Sequence, residues 1–306
     1  MIDALTGYHL FSERYDRELK DVFATQDEIS MKILTATRVA LTQGEEARMF
    51  AKGTKNLEAY LKVMQAREHH EVFTKESQAL ARQLAEEAIA LDPGYALAYS
   101  YAAMAIVHEV MVGAYANPQE ALERGMKLAQ KAVALDDSLA HPHEILSKYY
   151  IRLNKDYDKA IAEAERAVTL EPNSVDAQTQ LGSNLRWAGR DAEAIPILEK
   201  AMRLSPIPPY ICVSTLASCY RNTGRYEEAI ALRRKILQKQ PNDLNCRVGL
   251  VGALMEAGKE KEARAEAAKV LRIDPKFSVE RYLYGLGYDQ SRKDREAGVL
   301  RKAGLK

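Results

Sequence analysis

A spacing rule runs through most of this chain. Six times an alanine-rich stretch ends in Leu or a similar residue, one polar residue and then Pro or Asp, at Pro93, Asp137, Pro172, Pro206, Pro241 and Pro275, giving intervals of 44, 35, 34, 35 and 34 residues. A fixed period of this size is the signature of a solenoid, in which no unit closes a core alone and each buries its apolar face against its neighbours. Such an array grows by stacking, so 306 residues need not divide into conventional globular domains.

The period resolves into two helices. Twelve, eight and five residues before each anchor lie mostly small side chains, such as Ala81, Ala85 and Ala88 in the first unit and Ala160, Ala164 and Ala167 in the third, with Leu198, Arg233 and Ile236 among the larger members. The spacing places them on one helix face, where small residues let another helix approach closely. A second register lies upstream, at Leu146-Ser147, Leu181-Gly182, Leu216-Ala217 and Leu250-Val251, each followed three residues later by Tyr150, Leu185, Tyr220 or Leu254. Between the two sit Asn154-Lys155-Asp156, Gly189-Arg190-Asp191, Gly224-Arg225-Tyr226 and Gly258-Lys259-Glu260. Glycine after a helix end can take the left-handed conformation that closes the last turn, and the anchoring proline ends the second helix.

These positions together resemble the tetratricopeptide repeat. The resemblance implies an all-α, right-handed superhelix of about six hairpins over residues 51–275, followed by capping helices over 276–306, the latter read as Val279 to Leu286 and Ser291 to Lys302. Two units depart from the pattern: Gln178 stands where a large aromatic is expected, and Asp137 replaces the closing proline.

The second unit is longer than the rest. Asn117-Pro118-Gln119-Glu120 reads as an N-cap, a proline at the first helical position and a capping-box acid. Met104, Val107, Met111 and Tyr115 extend the first-helix stripe, so both arms should be about one turn longer than average. The tip, with Met111, Val112 and Tyr115, is either covered by the first unit or a candidate partner-binding knob.

Residues 1–50 lie outside the period. Tyr8-His9-Leu10-Phe11-Ser12 reads as a strand, and an amphipathic helix follows with Val22, Ile29, Ile33, Leu34 and Leu41. The stretch TGYHLFSERYDRELKDVFATQDEIS resembles the last strand and helix of the small TolB-like α/β domain of bacterial proteins. Such proteins often begin with a class III adenylate or guanylate cyclase domain and end with tetratricopeptide repeats. The resemblance therefore implies the interaction portion of a cyclase-like signalling protein, or a free-standing relative of it; no catalytic residue of a cyclase can be assigned to this sequence.

Composition narrows the function. Lys and Arg total 44 against 43 Asp and Glu, which lacks the basic excess of a sequence-independent phosphate binder. Three cysteines, Cys212, Cys219 and Cys246, make neither a disulfide framework nor a zinc ribbon. No stretch approaches the eighteen apolar residues of a membrane helix, and a cytoplasmic location is expected. His141-Pro142-His143-Glu144, with His69 and His70, lacks the i, i+4 spacing of a helical metal face, and Gly285-Leu286-Gly287 reads as a helix end. We therefore expect no enzyme, no cofactor, no metal and no nucleic-acid partner.

By the same resemblance, the first helices line a concave groove, and the second, fifth, ninth and twelfth repeat positions point into it. These positions are Leu97, Ser100, Met104 and, one residue further on in the longer second unit, His108; His141, Glu144, Lys148 and Ile151; Asp176, Thr179, Ser183 and Arg186; Ile211, Ser214, Ser218 and Arg221; and Asn245, Val248, Gly252 and Met255. Arg186 and Arg221 fall one repeat apart and would align two guanidinium groups for an acidic peptide, unless each pairs with an acid such as Asp176. The Lys and Asn clamp of chaperone-binding relatives is missing. The expected ligand is a protein or peptide, and the alternative is self-assembly through the Tyr8–Ser12 strand and the long hairpin.

Overall fold

The computed structural model describes residues 53–70, 72–284 and 290–306, in which the alanine-rich runs are helices. Six hairpins follow one another: α1 (Leu57–His70) with α2 (Lys75–Leu91), α3 (Ala96–Met111) with α4 (Pro118–Leu135), and α5 (Ala140–Tyr149) with α6 (Tyr157–Leu170). The series continues with α7 (Val175–Trp187) and α8 (Asp191–Leu204), α9 (Tyr210–Asn222) and α10 (Tyr226–Lys239), and α11 (Leu244–Glu256) and α12 (Glu260–Ile273). Two cap helices close it, α13 (Val279–Tyr284) and α14 (Gln290–Lys302). Each second helix also packs on the first helix of the next hairpin, and the first helices touch one another in sequence, so the expected all-α solenoid is the observed architecture. No strand occurs among the described residues. The Tyr8–Ser12 strand, the TolB-like segment, the linker helix and the Gly285–Gly287 helix end lie outside them.

The small residues do what their spacing implies. Ala81, Ala85, Ala88, Ala129, Ala132, Ala160, Ala164, Ala167, Ala194, Ala201, Ala229, Ala263 and Ala267 are all at most 2% exposed, at the seams between helices. At two places where a large residue stands instead, a glycine faces it. Leu198 lies over Gly182, where a β-carbon would sit 2.5 Å from the leucine Cγ. The Arg233 guanidinium lies over Gly249, where a β-carbon would be 2.3 Å from its Cζ. Tyr149 fills the space above Gly125 and donates from its hydroxyl to the Ala103 carbonyl at 2.6 Å. Volume is thus conserved across each seam even as its residues change.

The position expected to hold a large aromatic carries His143, Gln178 and Arg247 in hairpins 3, 4 and 6, and all three are buried. Each donates to the carbonyl six residues earlier, at the repeat anchor: His143 Nε2 to Asp137 at 3.1 Å, Gln178 Nε2 to Pro172 at 2.9 Å, and Arg247 to Pro241. His143 and Arg247 also pair with equivalent acids on their second helices, Glu163 and Glu266. The aromatic is replaced by a hydrogen-bonded latch, which satisfies the buried polar group.

Hairpin 2 has the long arms expected of it: α3 has 16 residues and α4 has 18, against 13 or 14 in hairpins 4 to 6. Pro118 opens α4, and the Asn117 side chain accepts from the Glu120 backbone N–H at 3.4 Å. Its tip divides between the two readings. Met111 is exposed, whereas Tyr115 turns back to donate to Glu109, which also accepts from Arg82 of α2 at 3.0 Å. Val112 is half-buried.

Hairpin 3 turns differently from the others. Gly189, Gly224 and Gly258 close their turns at φ 77, 80 and 75°, but hairpin 3 has a π-helical turn, Tyr150–Asn154, followed by Lys155 at φ 51°. A π-turn absorbs one extra residue without breaking the helix.

Replacing Gly182 by Ala should destabilise the chain by about 1–3 kcal/mol, the usual cost of overpacking. Adding Leu198→Ala should return part of that loss, as measured by urea denaturation of the single and double variants.

Candidate ligand-binding groove

Contacts between successive first helices place the expected groove positions along one face, but not all of them are accessible. Ser100, Met104, Glu144, Thr179, Arg221, Val248 and Gly252 are buried between neighbouring helices. Leu97, His108, His141, Lys148, Ile151, Ser183, Arg186, Ser214, Ser218 and Met255 are half-buried, and Asp176, Ile211 and Asn245 are exposed. The fifth position is buried in four of the five units, the ninth at Met104 and Gly252, and the twelfth only at Arg221.

The C-terminal part of this face is filled from within the chain. Helix α14 returns to pack on α11, the first helix of hairpin 6. There Glu296 accepts from Arg221 NH1 at 2.8 Å, while Glu256 accepts from Arg221 Nε at 2.7 Å. Burial alone would lower the Arg221 pKa, but Glu296 and Glu256 outweigh it and hold the guanidinium above its ordinary value. Glu296 is held below the carboxylate range because Arg221 overcomes its burial. Gly252 leaves the space through which Arg221 reaches them: a β-carbon there would lie 2.4 Å from the arginine Cζ. Arg221 is therefore committed to the cap and does not stand beside Arg186 as a second ligand-facing guanidinium. Arg186 lies 4.7 Å from the centre of the Trp187 ring.

The N-terminal part is polar and rich in imidazoles. His70 at the end of α1 stacks on His108 of α3, with ring centres 4.3 Å apart, and Phe73 meets His108 edge-on at 5.0 Å. His141 of α5 stacks on Tyr101 at 4.5 Å, and its Nδ1 lies 2.7 Å from the Ser100 hydroxyl. Burial, then the charge of Lys148, lowers His70 to about 4 and His141 to about 3. His108 is lowered to about 2 by burial, then by His70, Lys148 and Arg152. Burial pushes Glu144 up to about 7, only partly opposed by Lys148. Burial also lowers Lys148, against the pull of Glu144 and Asp176. His143, in contrast, points away to Glu163 and Asp137; burial would lower it, but the Glu163 contact leaves it raised.

Counting repeat positions places Lys148 and His141 on this face, with His108 one residue past the twelfth position of its unit. It missed His70 and Phe73, because the first unit was not placed in register, and it missed Glu256 and Glu296, because no periodicity tells where a terminal helix returns. The three thiols, buried among apolar side chains, are raised above the ordinary cysteine range. Among the described residues no group of three His, Cys, Asp or Glu side chains is arranged to hold a metal ion, and no helix is long and apolar enough to cross a membrane.

Comparison with known proteins agrees with the fold. The family described as tetratricopeptide repeat matches residues 220–284. The fold is that of the tetratricopeptide repeat. A Rhizobium meliloti (strain 1021) protein named "Putative adenylate cyclase 3" is 36% identical over 168 residues, which cover 55% of this chain and 28% of that protein's length. The chain thus matches little more than a quarter of that relative. Among solved structures, the Cut9–Hcn1 hetero-tetramer of APC/C aligns with a TM-score of 0.57 at 13% identity, over 81% of this chain and 46% of the other. The type IV pilus biogenesis factor PilW aligns at 0.53 and 20% identity, covering 68% and 88%. A tetratricopeptide repeat protein from Parabacteroides merdae ATCC 43184 aligns at 0.52 and 13%, covering 80% and 100%. At these identities the likeness is one of fold.

Two outcomes follow. Arg221→Met strands the buried Glu296 and should cost about 3 kcal/mol in a urea titration, with α14 becoming the first site of proteolysis. The second concerns pH. His70, His108 and His141 have folded pKa values below the unfolded one, so the stability of their neutral forms is present above about pH 6.5 and lost as pH falls towards 4. Glu144 acts oppositely, since its raised value makes stability fall as pH rises from about 4.5 to 7. His143, whose value is raised, also gains stability as pH falls, but the three lowered imidazoles outweigh these two groups below pH 6.5, so lowering the pH from 7 to 5 should speed hydrogen exchange, corrected for intrinsic rates, in α1, α3 and α5 more than in α9 to α12.

Proposed function

We propose that this chain is a non-catalytic scaffold that holds a protein or peptide segment along the face built by its first helices. The supporting observation is that these helices touch in an unbroken series, leaving one continuous surface on which ionisable and hydroxyl side chains gather, from His108 through Lys148 and Ser183 to Ser214. A long, shallow, mixed surface suits an extended polypeptide, because it spreads recognition over many side chains rather than enclosing one small molecule. In this reading the Ser183–Arg186 stretch is the middle of the binding surface, and Asn245 and Met255 lie on α11, against which α14 packs.

In its parent context we infer that the scaffold serves a cyclase-like signalling protein in the cytoplasm. This rests on the N-terminal sequence resemblance and on the partial similarity to the Rhizobium meliloti protein. A photo-crosslinking amino acid placed at Ser183 or Ser214 should yield adducts with a specific polypeptide in cells, and the same probe at Glu165 or Lys235, exposed on second helices, should not. Equal labelling from both sets, or pyrophosphate release from nucleotide triphosphates by the purified chain, would overturn the reading.

A further inference from the structure

Resting on that reading of the groove, we propose that its N-terminal half recognises an acidic–apolar polypeptide segment, with a ligand carboxylate seated on Lys148 and a neighbouring apolar side chain on Phe73 and Met111. Several buried and half-buried cations of the hairpins have their acids: Arg82 has Glu86 and Glu109, Arg221 has Glu256 and Glu296, and Arg247 has Glu266, while the buried Arg233 donates to the Ser218 hydroxyl at 2.9 Å. Lys148 differs. It is half-buried on the inner face and, among the described residues, makes no ion pair within 4.0 Å. Its nearest acids act only through space, and one of them, Glu144, is itself held towards its neutral form by burial. A cation withdrawn from water without a paired acid is costly, and a carboxylate supplied by a ligand would offset that cost.

The surroundings extend the argument. The Nδ1 atoms of His70 and His108 are buried without a hydrogen-bond partner among the described residues, so donors and acceptors around Lys148 are unmet. Arg67 and Arg152 add positive charge to the same neighbourhood, so that three cations face Glu144, Asp176 and Glu171, of which Glu144 is held towards its neutral form. The apolar half of the site is at the rim. Phe73 and Met111 are each 49% exposed, yet each touches the polar cluster: Phe73 lies against the His108 ring, and the Met111 sulfur accepts from Arg152 NH2 at 3.0 Å. Val72, 53% exposed, continues that rim. A polyanion such as RNA fits poorly, because Glu144 and Asp176 interrupt the positive charge and the chain as a whole carries a net charge of only +1. A polypeptide that alternates acid and apolar side chains meets both halves.

The test uses the full chain and fluorescence anisotropy with labelled hexapeptides of alternating Asp and Leu, Asn and Leu, or Lys and Leu. The Asp peptide should bind at least about tenfold more tightly than the Asn peptide, a difference of roughly 1.4 kcal/mol, and should weaken as salt is raised. Lys148→Met should abolish that preference, Lys148→Arg should keep most of it, and Phe73→Ser should weaken the Asp and Asn peptides alike. Thermal melts of each variant report folding separately, and loss of a half-buried unpaired cation in Lys148→Met should leave stability unchanged or raised. Equal affinity for the Asp and Asn peptides, a Lys148→Met variant that keeps the preference, or no binding by any peptide would overturn the inference. The scaffold reading has its own outcome in the crosslinking from Ser183 and Ser214, so the acidic-ligand inference can fail while that reading stands.

Discussion

Two helices can lie close together only if one of each pair of facing side chains is small, and that condition governs this molecule. The seams are built from alanines that are almost wholly excluded from water, and each seam buries the face that its own hairpin leaves open. The exceptions show how strict the condition is. Leu198, Arg233, Tyr149 and Arg221 each lie where a β-carbon on the facing residue would be in steric conflict, and the facing residue is glycine in all four cases. A volume gained on one side of a seam is removed from the other, as close packing requires.

The same seams explain why the groove is uneven. Bringing first helices together buries the repeat positions that fall in the seam, including Glu144, Thr179 and Arg221, and leaves half-exposed those that fall beside it, such as Lys148 and Ser183. A charged residue in the first class must find a partner inside the protein. Arg221 does so by reaching two acids, one of them on the terminal helix, and the cap is thereby locked to hairpins 5 and 6. Charge in the second class can be left for a ligand. The two halves of the inner face therefore differ in kind: the C-terminal half is closed by the chain's own helix, while the N-terminal half keeps imidazoles and a lysine in a poorly solvated, incompletely paired state.

Polar latches show a second economy. A buried aromatic contributes by area, whereas His143, Gln178 and Arg247 contribute by tying the repeat anchor to the helix that follows it. His143 and Arg247 carry an ionisable side chain into the seam, and each meets an acid at the equivalent place on its second helix, Glu163 or Glu266. Gln178 carries none, and its hairpin has Ile197 there instead. Repeat units thus stay interchangeable in shape while varying in chemistry.

The hairpins, their turns and the long second unit were legible in the sequence because they depend on local periodicity: alanine at helical spacing, glycine or proline at the ends, and Asn117-Pro118 starting α4 early. The expected groove positions rest on the same register, which maps directly onto a helix face. Tertiary structure alone decided where α14 returns, and hence that Arg221 is enclosed by Glu256 and Glu296 rather than offered beside Arg186. It alone brought His70 and Phe73 of the first hairpin against His108 of the second, and Arg152 of the third against Met111. Periodicity fixes which side of a helix a residue occupies; which charges meet across the stack, and which are left without a partner, depends on contacts between residues 35 to 75 positions apart, which no local pattern records.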